Sequence, residues 1–178
     1  MNTYIALFRG INVGGNNSLP MKDLIAILEG TGARKIQTYI QSGNAVFKSS
    51  EKNPSQFSKK LAAEIKKSHG FEPYIHIIEF EALIKAIAEN PYPEAETDPS
   101  SLHLGFLVSK PRSPNLEKLS SLKKENERFH LSDGVFYLHA PEGVGRSKLA
   151  ASSEKLIGVP MTDRNWRTVC KIRELAGE

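Results

Sequence analysis

The chain has 178 residues, 39% of them hydrophobic and 25% charged, with a single cysteine and a net charge of +4. These values suit one globular domain or two small ones, and exclude a disordered, collagen-like or coiled-coil chain. Mean hydropathy is −0.36, no apolar run nears the ~20 residues of a membrane helix, and the opening Met-Asn-Thr-Tyr-Ile predicts no signal peptide.

Thr3–Arg9 is a compact apolar run and predicts a buried strand. Gly10–Leu19 is a loop rich in glycine and asparagine. Pro20 suits the first turn of a helix, and Leu24, Ile25, Ile27 and Leu28 give its apolar stripe as far as Gly30 and Gly32. Lys35–Gln41 alternates as a strand, Ser42-Gly43-Asn44 turns, and Ala45–Lys48 pairs back. Asn53 caps the next helix, with Pro54 at its first position and Gln56 closing a capping box. Phe57, Leu61, Ala62 and Ile65 form its buried face before Gly70, and Tyr74–Ile78 is a further strand. This β-α-β-β-α-β order predicts a ferredoxin-like (split βαβ) unit over residues 1–79.

Phe80–Glu89 predicts a connecting helix, and the proline-rich stretch to Ser101 predicts a linker, so residues 80–101 join two halves. The second half, residues 102–178, opens with the strand Leu102–Val108. A helix capped by Ser113-Pro114 follows, then a hairpin around Ser132-Asp133-Gly134, and a helix capped by Ser147 that ends at Gly158. Arg164–Leu175 is read as a last helix. The expected architecture is α+β: two ferredoxin-like subdomains packed together, plus a C-terminal helix.

Four segments could carry chemistry. Arg9-Gly10-Ile11-Asn12-Val13-Gly14-Gly15-Asn16-Asn17 follows a strand and precedes a helix. Its glycines would let an anion approach backbone N–H groups, with the Arg9 fork as counter-charge. The competing reading is a sharp loop whose asparagines bond their own backbone. Gln41, Ser42 and Asn44 sit at a hairpin tip, where they would orient a ligand or simply turn the chain; Ser42 lacks a nucleophile elbow. Gly143-Val144-Gly145-Arg146-Ser147-Lys148 is a second strand-to-helix loop. It would gather an anion at a helix start, or present a capped helix with solvated charge. It has no Walker order. Arg164, Asn165 and Trp166 would stack and hold a base or sugar, or else Trp166 is core. The five histidines show no metal-ligand spacing, so no metal site is expected. No cofactor can be named.

Charge gathers at the ends. Residues 1–48 carry five basic and two acidic groups, residues 49–145 carry 12 and 14, and residues 146–178 carry seven and four. If the ends meet, they form one electropositive surface suited to an anion; scattered surface charge is the alternative.

Several ordered motifs then make the chain recognisable. They are Leu7-Phe8-Arg9-Gly10-Ile11-Asn12-Val13-Gly14-Gly15, Leu19-Pro20-Met21, Thr38-Tyr39-Ile40-Gln41-Ser42-Gly43-Asn44, Asn90-Pro91-Tyr92-Pro93, Gly145-Arg146-Ser147-Lys148-Leu149 and Arg164-Asn165-Trp166. The chain resembles the bacterial family catalogued as domain of unknown function 1697. Ala45 and Asp163 stand where that pattern has valine and threonine. The resemblance implies two ferredoxin-like subdomains and no established activity.

The resulting expectation is a cytoplasmic protein that binds a small phosphorylated or nucleotide-like anion between its two halves. Arg9, Arg146, Lys148 and Arg164 would supply charge. Asn12, Asn17, Gln41, Ser42, Asn44, Ser147, Asn165 and Trp166 would orient the ligand, and Gly14 and Gly15 would offer backbone. The alternatives are a nucleic-acid-binding module, consistent with a pI near 9.1 but with modest charge for many phosphate contacts, and a non-catalytic interaction protein. No membrane partner is expected.

Overall fold

The computed structural model describes residues 1–177, in two compact units. The first comprises Met1–Lys85 together with the residues from Lys171 onward; the second is Ala86–Cys170.

In the first unit the elements run β1 (Asn2–Arg9), α1 (Met21–Gly30), β2 (Arg34–Tyr39), β3 (Asn44–Ser49), α2 (Pro54–His69) and β4 (Tyr74–Glu79). The strands form one antiparallel sheet in the order β2-β3-β1-β4. Each helix therefore links two strands separated by a third, which is the split βαβ arrangement. β1 reads as an unbroken apolar run because it is central and buried on both faces: Tyr4 to Phe8 are all 2% exposed or less. Tyr4, Ala6 and Phe8 join Phe47, Phe57, Leu61, Ile65, Leu24 and Leu28 in the core under the helices. Phe47 and Phe57 stack there with ring centroids 5.0 Å apart.

Local signals account for the helix ends. Asn53 Oδ1 accepts from the Ser55 and Gln56 N–H groups, and Gly70 closes α2 in the left-handed conformation. The expected box closure by Gln56 is replaced: the Asn53 N–H donates to the carboxylate of Glu51. Pro20 is the cap residue of α1 rather than its first helical residue, since its ψ of 139° is extended.

The second unit begins within α3 (Phe80–Ala88) and passes a short 3-10 turn, Pro93–Thr97. It continues with β5 (Leu102–Leu107), α4 (Leu116–Leu122), β6 (Arg128–Leu131), β7 (Val135–His139), α5 (Lys148–Ile157) and β8 (Met161–Asn165). Its sheet order is β6-β7-β5-β8, the same topology as the first. Leu107, Leu119, Phe136, Leu138, Leu149 and Ile157 form its core under the helices. α6 (Trp166–Ala176) starts in this unit and ends in the first, where the Gln37 side chain donates to the Leu175 carbonyl at 3.3 Å.

Two sequence expectations are corrected here. Met161–Asn165 is a strand, and the last helix starts at Trp166 rather than Arg164. β8 is an edge strand with one apolar residue, so neither alternation nor hydropathy marks it. α4 is capped by Asn115, whose side chain accepts from the Lys118 N–H, not by Ser113-Pro114.

Gly43 is the most closely packed glycine of the first unit. It sits at φ +91°, and a Cβ there would lie 2.6 Å from both Phe8 Cβ and Ile11 Cδ1. Its carbonyl accepts from the Phe8 N–H at 2.9 Å. Gly43→Ala should therefore destabilise by about 2 kcal/mol or more. Gly30→Ala, at a helix end with nothing within 4 Å, should be neutral or slightly stabilising. Denaturant unfolding of the two variants checks this.

Candidate functional site

The first two polar segments meet at one end of the first sheet, where β1 and β2 end and β3 and β4 begin. One asparagine joins them. Asn12 Nδ2 donates to the Leu19 and Gln41 carbonyls, both at 2.8 Å, and Asn12 Oδ1 accepts from the Leu19 N–H at 2.7 Å. Both amide protons and the carbonyl are thus used within the chain. Asn17 Nδ2 donates to the Gly10 carbonyl at 3.0 Å, and the Asn12 N–H donates to the Asn17 carbonyl at 3.1 Å. Asn12 and Asn17 both hold positive φ, which asparagine tolerates better than most residues. Asn44 is 1% exposed, and its side-chain amide donates to the Tyr39 carbonyl. The structure thus gives Asn12, Asn17 and Asn44 bonds to their own backbone, with Asn44 buried rather than presented at the tip.

Other groups of this end face solvent. Val13 and Asn16 bridge across Gly14 and Gly15, both at positive φ, so the glycines form an exposed two-residue turn. Gln41 and Ser42 are exposed at the β2–β3 tip. Arg9 is also exposed, so burial does not explain its place; its guanidinium lies 5.3 Å from the centroid of the Tyr74 ring. Ile40 is 48% exposed with φ +52°, a strained conformation for a β-branched side chain.

The other two segments lie in the second unit, at the end of its sheet where β7 and β8 finish. Ser147 caps α5 by accepting from the Ala150 N–H at 3.0 Å and is buried. Arg146 and Lys148 flank it, exposed, at the positive end of the helix dipole. Asn165, the last residue of β8, accepts from the Thr168 N–H in the first turn of α6. Arg164 Nη1 donates to the Asp163 carbonyl at 2.8 Å. Trp166 is 6% exposed, as a core residue would be.

Two clusters escaped the sequence reading. His103 Nδ1 lies 2.7 Å from Asp163 Oδ2, and its Nε2 lies 3.1 Å from the Ser100 carbonyl. An acceptor at each ring nitrogen favours the doubly protonated imidazole over the neutral one. Burial alone would push its pKa down; the bond to Asp163, the carboxylate's field and the Ser100 carbonyl outweigh it and hold the pKa above its ordinary value. The partners are 60 residues apart in sequence, and only the β5–β8 pairing brings them together. In the second cluster Arg128 bonds Glu94, donates to His139 Nδ1 at 3.0 Å and covers the Tyr92 ring at 4.5 Å. The Asn90-Pro91-Tyr92-Pro93 motif thereby has a structural role: Asn90 accepts from the Tyr92 N–H and donates to Glu96. Among the described residues no group of three His, Cys, Asp or Glu is placed to hold a metal ion.

A family model described as "Protein of unknown function (DUF1697)" matches residues 1–137. The chain belongs to the DUF1697 family. Its structure is similar to one described as that of the conserved bacterial protein SP0830 from Streptococcus pneumoniae. The TM-score is 0.71 at 24% identity, over 100% of this chain and 99% of the other. At that identity the likeness concerns the fold. No curated protein matches the chain.

Ile40→Asn should stabilise by about 0.5–1 kcal/mol by relieving left-handed strain, whereas Asn12→Ala should destabilise by about 1–3 kcal/mol by stranding its partners; urea unfolding separates the two signs. The His103 pKa is raised on folding, so its stabilisation is complete below about pH 6.5 and is lost as pH rises through the raised value. The stability gap between wild type and His103→Gln should therefore narrow towards alkaline pH, and a gap that widens would contradict the assignment.

Proposed function

We propose that this protein binds a small anionic ligand, phosphorylated or nucleotide-like, at the loop end of its first unit. Arg9 supplies the charge, Gln41 and Ser42 the orienting hydrogen bonds, and Gly14 and Gly15 a close approach to backbone. The observation that carries this reading is the division of labour among the polar residues. Asn12 and Asn17 spend their hydrogen bonds inside the loop, so the groups left facing solvent are held in place before any ligand arrives. A preorganised site loses less entropy on binding. Arg146 and Lys148, at the start of α5, form a second place where an anion gains from positive charge. Ser147, Asn165, Asn44 and Trp166 support the fold around these loops in this reading. The single cysteine favours a reducing, cytoplasmic setting. The proposal concerns binding and assigns no reaction.

A thermal-shift screen against phosphorylated metabolites, nucleotides and short oligonucleotides, at low and high salt, tests it. A ligand at a hundred times its Kd stabilises by about 2.7 kcal/mol, a shift of several degrees. A salt-tolerant shift with one small anion, lost in Arg9→Ala while the melting temperature of the unliganded variant stays close to wild type, is the expected result. A shift with oligonucleotides alone, abolished by salt, replaces this reading with nucleic-acid binding. No shift with any compound leaves a protein-interaction role.

A further inference from the structure

The second unit contains a cavity of about 280 Å³ between α5 and its sheet. Its wall comes from Phe136 and Leu138 on β7, Ala150 and Ala151 on α5, and Met161 and Asp163 on β8. The space has a local cause. Phe136, Gly105 and Asp163 lie in one row across β7, β5 and β8. Gly105 contributes no side chain to that row, and the helix above it carries alanines. The Met161 sulfur lies over the glycine, 2.7 Å from where a Cβ would stand. A flexible thioether is the side chain best able to move aside for an occupant.

The wall is apolar except for one carboxylate and the buried Ser153, whose hydroxyl donates to the Ala150 carbonyl. Asp163 is aimed by a buried partner. Its Oδ2 is bound to His103, which is 8% exposed, while Oδ1 has no partner among the described residues. An apolar cavity with one fixed acceptor at its edge selects a small apolar body bearing an N–H donor. The size suits a single ring with a short head group, since an apolar cavity of about 150 Å³ already holds benzene.

We propose that this cavity is a binding site for a small apolar amine, with the hydrocarbon part under α5 and the ammonium on Asp163 Oδ1. The site is separate from the anion-binding loop of the first unit and stands or falls separately from it, while Val144 of the Gly143–Lys148 loop forms part of its wall. It selects a hydrogen-bond donor, because Asp163 Oδ2 is taken by His103 and Oδ1 at the cavity edge can only accept from an ammonium, whereas a carboxylate ligand would bring a second acceptor to it.

The chain has three methionines, so a sample labelled at the methionine methyl groups gives a sparse spectrum in which Met161 reports the cavity and Met21 serves as a control. Titration with benzylamine should move the Met161 signal to saturation and leave Met21 in place, while benzoate moves neither. Asp163→Asn should weaken benzylamine binding at least tenfold. Because that change also disturbs His103, a second variant is needed. Ala151→Leu narrows the cavity from an exposed helix position, and should abolish the Met161 shift with the melting temperature preserved. A Met161 signal unmoved by benzylamine at about 10 mM, a concentration that half-fills even a very weak site, would overturn the proposal. So would benzoate binding equal to benzylamine binding, or an unchanged response in Ala151→Leu.

Discussion

A missing side chain at Gly43 lets the β2–β3 tip settle against Phe8 and Ile11, and the loop end of the first unit depends on that contact. Only because the tip lies so close does the Gln41 carbonyl come within 2.8 Å of the Asn12 amide. Asn12 in turn fixes Leu19 through two further bonds, and Leu19 directly precedes Pro20, the cap residue of α1. A chain of short contacts thus runs from hairpin to loop to helix. Each link uses a group that water would otherwise satisfy, so removing one leaves a polar atom stranded. The exposed turn of Gly14 and Gly15 is held from beneath by these links.

The second unit repeats the topology with different chemistry. Its strand-to-helix loop is closed by a serine cap at Ser147, and its edge strand is tied to the centre by the His103–Asp163 pair. A buried histidine with an acceptor on each nitrogen has its charged form favoured by geometry. Removing one partner strands the other in a buried site, which is the costly change for such a pair. Small residues on α5 and β5 leave space beneath the helix where the first unit has Phe47 stacked on Phe57. One architecture therefore supports an exposed loop platform in one unit and a partly open apolar cavity in the other.

The split βαβ order of residues 1–79 was legible because its signals are local: the apolar run of β1, the Asn53 cap and the Gly70 stop each lie within a few residues. β8 was missed because an edge strand needs little apolar content, and its Asp163 and Arg164 resemble a helix start. The loop residues were legible as a group but not by role. Composition marks Asn12, Asn44 and Gln41 alike as polar, and only the contacts separate bonded Asn12 and buried Asn44 from exposed Gln41. The His103–Asp163 pair had no sequence signal, since pairing across a sheet has no fixed spacing. Ile40 looked like an ordinary strand residue; its positive φ follows from the turn that Gly43 permits.

The rigidity of the loop platform is tested most directly by amide hydrogen exchange on the native protein. The Leu19 N–H, bound to Asn12 Oδ1, and the Phe8 N–H, bound to the Gly43 carbonyl, should exchange slowly. The exposed turn amides of Gly14 and Gly15 should exchange fast. Slow exchange at Leu19 that is lost in Asn12→Ala would show that side-chain bonds hold the platform. Fast exchange throughout residues 10–19 of the wild-type protein would contradict a preorganised loop.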